Sequence, residues 1–166
     1  MARYVISDAG PLIGLAIVDG LAWLPALFNE VWIPPSVQRE VLPGVGARGE
    51  PEIAAAIKRK SLKVWKKAIP APSVHVADLD EGETDCIRIA QSEGVSNAVI
   101  LMDERAGRAV ATELGIRVTG TAAVIGFAKR HGLIDSAKAR FEHLHASDFR
   151  IKPDLIQTVL RGVGEL

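Results

Sequence analysis

A chain of 166 residues with 48% apolar content suits one domain with a sizeable core and excludes a largely disordered polypeptide. Its 20 basic and 20 acidic residues cancel. An overall positive field therefore does not hold it on nucleic acid, and any such contact must come from a local patch. The single cysteine, Cys86, excludes an intramolecular disulfide and fits a reducing cytoplasm.

Arg3 precedes a short apolar run, but Asp8 interrupts it, so no secretory leader is expected. The most apolar stretch, Ala9 to Val18, contains glycines and a proline. It falls far short of the roughly 20 residues that span a bilayer. The expectation is a cytoplasmic protein without membrane contact.

In chain order, Arg3–Ser7 (RYVIS) is a strand ended by Asp8-Ala9-Gly10-Pro11. Helical material follows from Pro11 to Phe28, broken around Asp19-Gly20. Glu30–Ile33 is a second strand. Pro35 suits a first helical position, where its fixed φ is useful and its missing donor costs nothing. That helix runs through Val37, Glu40 and Val41 to Pro43. Gly44 to Gly49 is loop, Glu50 to Lys60 a polar helix, and Leu62–Trp65 a short strand, with Pro70 and Pro72 marking a connection. In Glu81–Glu93, Cys86, Ile87, Ile89 and Ala90 share one helical face, which makes Cys86 a small core residue. Ala98–Met102 (AVILM) is the clearest core strand. Glu104–Leu114 is helix, Arg117–Thr119 strand, and Ala122–His131 a helix ended by Gly132. Ala137–Leu144 and Pro153–Leu160 are helices packed on the rim.

Strand–helix alternation of this kind predicts an α/β fold, a mostly parallel sheet with helices on both faces. There is no internal repeat. Residues 1–135 form the expected catalytic unit, and residues 136–166 a helical extension packed on the same domain.

Ligands of open parallel sheets bind outside the carboxyl ends of the strands. Asp8 follows the first strand and Asp103 follows AVILM. If those strands are neighbours, both carboxylates enter one crevice, where a cation would relieve their repulsion. Each aspartate taken alone is as well read as a helix cap. Glu83 lies in the first turn of its helix and shares a face with Ile87 and Ala90, so it points towards the sheet. Asp80 and Asp85, in the same acidic run, are possible substitutes. Glu40, in a helix facing the core through Val37 and Val41, is by itself an ordinary solvated glutamate. Four acids converging without thiolates or paired histidines would make a hard-oxygen site for Mg²⁺ or Mn²⁺. Such ions activate water and neutralise a phosphoryl transition state.

The stretch Val5-Ile6-Ser7-Asp8-Ala9-Gly10-Pro11-Leu12-Ile13 resembles the opening of PIN-domain nucleases. The order that follows is similar too: a proline-led helix with Glu40, then Gly82-Glu83 before Ile87 and Ala90, then Leu101-Met102-Asp103. The segments Asp103-Glu104-Arg105-Ala106-Gly107-Arg108 and Gly115-Ile116-Arg117-Val118-Thr119-Gly120-Thr121 are similar to a PIN-like subgroup long labelled as of unknown function. The resemblance runs from about Tyr4 to Ile134. It implies a three-layer α/β/α sandwich and metal-dependent cleavage of RNA, often by the toxin of a toxin–antitoxin pair. By position it assigns the acidic quartet to Asp8, Glu40, Glu83 and Asp103. Asp8, Glu83 and Asp103 would be metal ligands, and Glu40 would support the metal or orient water. VapC-type toxins usually carry aspartate where this chain has Glu83, and the extra methylene bears on metal number and activity level. The same fold as a non-catalytic RNA- or protein-binding module is the competing expectation.

Arg105 and Arg108 follow Asp103 and are placed to fork RNA phosphates, or else to balance nearby acids on a helix surface. Lys58, Arg59, Lys60, Lys63, Lys66 and Lys67 are the densest positive region, read mainly as a solvated helix and a charged edge strand. Ser7 and Thr121 are candidates to hydrogen-bond the acids or water. Gly44-Val45-Gly46-Ala47-Arg48-Gly49 spells a dinucleotide fingerprint, but no strand precedes it. A haloacid-type phosphotransferase needs an acid where Gly10 stands. A receiver domain, with Lys129 as its late lysine, leaves Glu40 and Glu83 unexplained. His143 and His145 project from different helix faces, and His75 and His131 stand alone. The apolar Leu12–Leu27 region suggests a homodimer or antitoxin interface.

Overall fold

The computed structural model describes residues 2–71 and 78–166. Pro72 and His75 lie outside the described residues. The elements are β1 (Tyr4–Ser7), α1 (Ala9–Ile17), a 3₁₀ turn (Leu21–Trp23), α2 (Leu24–Phe28), β2 (Val31–Ile33), α3 (Pro35–Val41), α4 (Glu50–Lys58) and β3 (Lys63–Val64). The chain continues through α5 (Glu81–Glu93), a 3₁₀ turn (Val95–Asn97), β4 (Ala98–Leu101), α6 (Arg105–Glu113), β5 (Arg117–Thr119), α7 (Thr121–Arg130), α8 (Ala137–Ala146) and α9 (Pro153–Gly162).

The strands form one parallel sheet in the order β3-β2-β1-β4-β5, the central layer of a three-layer α/β/α sandwich. The two central strands are buried on both faces, which is why they read as unbroken apolar runs rather than alternating ones. Ile6, Ile100 and Leu101 are fully enclosed, each worth roughly 1.5–3 kcal/mol of burial. α5 packs across β1 and β4 through Cys86, Ile87, Ile89 and Ala90. Leu27 and Phe28 of α2 and Phe127 of α7 meet the face carrying Val5 and Val99 around a cavity of about 400 Å³.

Register fixes the functional edge. Ser7 pairs with Leu101, and Leu101 with Thr119. Beyond the ladders, the Asp8 N–H donates to Leu101 O at 2.9 Å and the Met102 N–H to Thr119 O at 2.8 Å. The chain therefore leaves β1, β4 and β5 at one level, and Asp8, Asp103 and Gly120 emerge side by side.

Several boundaries differ from the sequence expectation for local reasons. α1 starts at Ala9 rather than Pro11, because a proline in the first turn lacks only a donor that has no intrahelical partner there. β3 shortens to two residues, although the Trp65 N–H still reaches Ile33 O at 2.8 Å. In the Gly44–Gly49 loop, the backbone N–H groups of Gly44 and Ala47 donate to the Glu50 carboxylate. An internal anion already fills that turn.

Leu12, Leu15, Val18, Leu21 and Leu24 are consumed by the chain's own core. Ile13, Ile17, Leu27 and Phe28 keep only partial exposure. The surplus of apolar surface that suggested an interface there is thus mostly internal. Among the described residues no single helix is long and apolar enough to cross a membrane.

α8 packs on α1 and α7, and α9 on α7. A carboxylate fastens this end of the chain. Glu165 accepts hydrogen bonds from Ser136 Oγ (2.9 Å), Ala137 N (2.6 Å) and Lys138 N (3.3 Å), and Lys129 Nζ lies 4.0 Å away. Burial alone would raise its pKa, but these donors and the lysine hold it below the ordinary glutamate value. A depressed carboxyl stabilises the fold above the unfolded pKa, and that contribution vanishes as pH falls through the folded one. Glu165→Gln should cost about 1 kcal/mol at pH 7. In urea titrations the gap from the parent protein should close towards pH 3.

Candidate active site

Asp8 occupies the N-cap position of α1 yet makes no side-chain capping bond, so the capping explanation fails for it. It is 5% exposed, and its Oδ1 is buried without a hydrogen-bond partner. Desolvation by burial pushes its pKa up to about 7. The Ala9 N–H offsets part of this, while Asp80, Glu40 and Asp103 add like-charge repulsion.

Glu83 is buried on the inner face of α5, as the helix phase predicts. Burial raises its pKa first, followed by the charge of and hydrogen bond to Asp80, then by the charges of Asp8 and Glu104. Asp80 is exposed and caps α5, its Oδ1 accepting from the Glu83 N–H at 2.8 Å. It is a helix cap and a member of the acidic cluster at once. Asp85, the other possible substitute, is equally buried but has partners of its own: it accepts from Ser36 Oγ at 2.6 Å and lies 3.4 Å from Arg88 Nη1.

Asp103 does not cap α6. Its two oxygens reach across to the start of α7 and accept from Thr121 N (2.8 Å) and Thr121 Oγ1 (2.7 Å). Of the two hydroxyl candidates, Thr121 therefore holds an acid, whereas Ser7 Oγ donates only to the Asp8 carbonyl. Glu40 sits on the exposed side of α3. Partial burial raises its pKa, with Asp80 second, so its charge is felt in the cluster although its carboxylate is not enclosed. None of the ion pairs among the described residues involves Asp8, Glu40, Asp80, Glu83 or Asp103.

Glycines crowd these carboxylates, a feature the sequence reading passed over. A methyl group on Gly107 would lie 2.7 Å from Glu83 Oε2, and one on Gly120 2.6 Å from Asp103 Oδ1. At Gly82 it would stand 3.2 Å from Asp8 Oδ1, and at Gly10 3.4 Å from Asp103 Oδ2. Gly82 and Gly107 lie within helices, where glycine costs up to about 1 kcal/mol against alanine. That cost was the available signal for close approach.

A model of the family DUF3368, a PIN domain, matches residues 4–165. The chain belongs to the PIN-domain family. No curated protein matches it. PIN domains are generally nucleases. Among the described residues, no three His, Cys, Asp or Glu side chains stand close enough together to hold a metal as they are. The chemistry nevertheless fits a hard cation. The donors are carboxylate oxygens without cationic partners, one buried oxygen is orphaned, and glycines leave room around them.

Of the basic candidates, Arg105 is exposed at the start of α6, and Arg108 donates through Nη1 to Met102 O at 2.8 Å. Arg108 thus braces the Asp103 turn with one nitrogen. The lysine-rich region is engaged elsewhere: Lys63 pairs with Glu30 and Lys67 with Glu93. Cys86 is fully enclosed and burial pushes its thiol up, which leaves it inert.

The raised carboxyls carry a sign. As pH climbs from about 4 to about 7, the unfolded chain sheds these protons first, so stability falls across that window. In EDTA, urea titrations should show the protein less stable at pH 8 than at pH 5. Asp8→Asn should flatten the slope and stabilise the protein at pH 8 by roughly 1–3 kcal/mol. A parent protein with constant stability from pH 5 to 8 would contradict this account of Asp8.

Proposed function

We propose that this PIN domain is a metal-dependent endoribonuclease, with Asp8, Glu83 and Asp103 as the ligands of Mg²⁺ or Mn²⁺. The observation that carries the reading is the buried, partnerless Oδ1 of Asp8 among carboxylates with no cationic partner. Proteins rarely bury such an oxygen unless something binds it. A divalent ion bound there would supply charge neutralisation and water activation for phosphodiester hydrolysis.

The chain's own residues set the stage for that step. Asp8 and Glu83 offer inward-facing oxygens, and burial ensures that they gain from binding a cation. Thr121 holds Asp103 in one orientation through both oxygens, so the carboxylate is pre-arranged rather than free to rotate. Glu40, on the solvent side, is placed to orient water or support the cation. Arg105 and the unbonded part of Arg108 are placed for substrate phosphates. RNA as substrate, and a role as the toxin of a toxin–antitoxin pair with an antitoxin or a second copy as partner, rest on the resemblance of the motifs. A second reading is favoured by one observation. Among the described residues no three acids converge as they stand, as suits a PIN domain that binds RNA or protein without turnover.

Asp8→Asn should reduce Mn²⁺-dependent cleavage of single-stranded RNA by at least about 100-fold while leaving the circular dichroism spectrum intact. Mn²⁺ should raise the melting temperature of the parent protein and not of the variant. Undiminished cleavage by Asp8→Asn would sink the assignment. A parent protein that neither cleaves nor shifts with Mn²⁺ would favour the binding module.

Gly120→Ala tests the crowding. Gly120 has φ −134°, open to any residue, so the added methyl acts on Asp103 and on Arg108 Nη1, 3.2 Å from it, rather than on the backbone. Cleavage should drop roughly 10- to 100-fold. Fully retained activity would show that Asp103 needs no fixed position.

A further inference from the structure

We propose that the connection between α8 and α9 is the far wall of the RNA groove, with Arg150 and Lys152 holding strand phosphates opposite Arg105 and Arg108. This rests on the ribonuclease reading and extends it to a segment outside the acidic motifs. An open groove of about 1150 Å³ is lined by Asp103, by Arg105 and Arg108 of α6, and by Arg150 and Lys152 of the α8–α9 connection. Small residues at Gly120, Ala122 and Ala123 also line it. Small-molecule pockets usually enclose about 300–1,000 Å³. An open groove larger than that suits a strand of several nucleotides.

The charges are available. Arg105, Arg150 and Lys152 are exposed, and among the described residues Arg105, Arg108 and Lys152 form no ion pair. Arg150 pairs only with Asp148, at 3.6 Å and with both side chains at least 80% exposed, a contact of little worth that a phosphate can replace. Glu104 and Asp148 also line the groove. They oppose a polyanion, so affinity depends on the four cations acting together.

The wall is also held in place. Asp148 takes φ 62° just after α8, and the Phe149 N–H donates to Leu144 O at 2.9 Å. The Phe149 ring presses on Gly14 of α1 so closely that a methyl there would lie 2.8 Å from its Cζ. Ile151 packs against the core. Phe149 and Ile151, which also line the groove, thus anchor the connection that carries the exposed Arg150 and Lys152.

The test uses the full chain and a labelled single-stranded RNA of about a dozen nucleotides of mixed sequence. Anisotropy is read in EDTA from about 50 to about 200 mM KCl. Arg150→Gln with Lys152→Gln should weaken binding at least about fivefold and flatten the log affinity–log salt slope by about 1.4, the value for two lost phosphate contacts on a single strand. Lys138→Gln with Arg161→Gln, the same charge change elsewhere, should leave both unchanged. The single variants should each give about half the slope change, and melting temperatures should match the parent. Unchanged affinity and slope in the double variant would overturn the proposal, as would equal loss in the control pair. Mn²⁺-dependent cleavage is read separately. A protein that cleaves normally while the double variant binds normally keeps the ribonuclease reading and loses this one. A protein that binds as expected without cleaving does the reverse.

Discussion

The structure turns on one unfavourable arrangement: a carboxylate buried at the end of the innermost strand with one oxygen that nothing satisfies. Asp8 is nearly enclosed, its Oδ1 has no partner, and its nearest charged neighbours are acids. Isolated burial of this kind is expensive, and a protein ordinarily removes it with an arginine or a capping N–H. Here that relief is only partial, coming from the Ala9 N–H. The α1 N-cap geometry is formed but the capping bond is absent. The arginines nearby are turned to other work, Arg88 to Asp85 and Arg108 to a backbone carbonyl. A site kept electrostatically unfinished is a site open to a ligand of opposite charge.

The rest of the edge is arranged around that deficit. Parallel pairing brings β1, β4 and β5 to one level, so the turns that follow them share a crevice. α5 enters across that crevice with Asp80 capping its start, and the cap orients the first turn so that Glu83 faces inward. The start of α7 gives Thr121 both a backbone and a hydroxyl donor to Asp103. Glycines at 107 and 120 let backbones approach carboxylates more closely than a side chain would permit, and Gly82 stands nearly as close to Asp8. Each choice sacrifices a little helix stability or solvation to hold negative charge in one place, the usual pattern at functional sites.

The central sheet and the two strand-end aspartates were legible in the sequence because they depend on local pattern. AVILM and RYVIS are apolar runs too short for helices, and an acid immediately after each is placed by chain connectivity alone. Glu83 was legible through helix phase, with Asp80 and Asp85 of the same acidic run left open beside it. What distinguishes Asp85 from Glu83 is a long-range partner, Ser36, forty-nine residues away, and no local rule supplies that. Glu40 shows the opposite limit. Its sequence position on α3 says little, and its influence on Asp8 arises from tertiary proximity to Asp80 and Asp8. The bond from Thr121 to Asp103 likewise joins residues eighteen apart. The α8–α9 connection was read only as a join between rim helices, because the pattern around Arg150 and Lys152 contains nothing that points to a groove until Phe149 is seen seated on Gly14.

Zero net charge, which requires any nucleic-acid contact to come from a local patch, has a spatial counterpart here. The acids of the cluster sit at the strand ends, and the groove leading away from Asp103 is flanked by cations on both sides. A polyanion approaching such a surface feels little attraction at long range, because beyond a Debye length of about 10 Å the opposing charges cancel. Close to the groove it meets four cations interspersed with Glu104 and Asp148, and Asp8 and Glu83 lie buried beyond them. Repulsion from those carboxylates stands between a bound strand and the site, and a bound cation would reverse its sign. On the proposed reading an RNA strand and a cation would therefore favour one another thermodynamically: each would lower the cost of the other's binding, whichever arrived first. The unsatisfied oxygen of Asp8 and the cations lining the groove would then be two halves of a single electrostatic arrangement, neither complete alone.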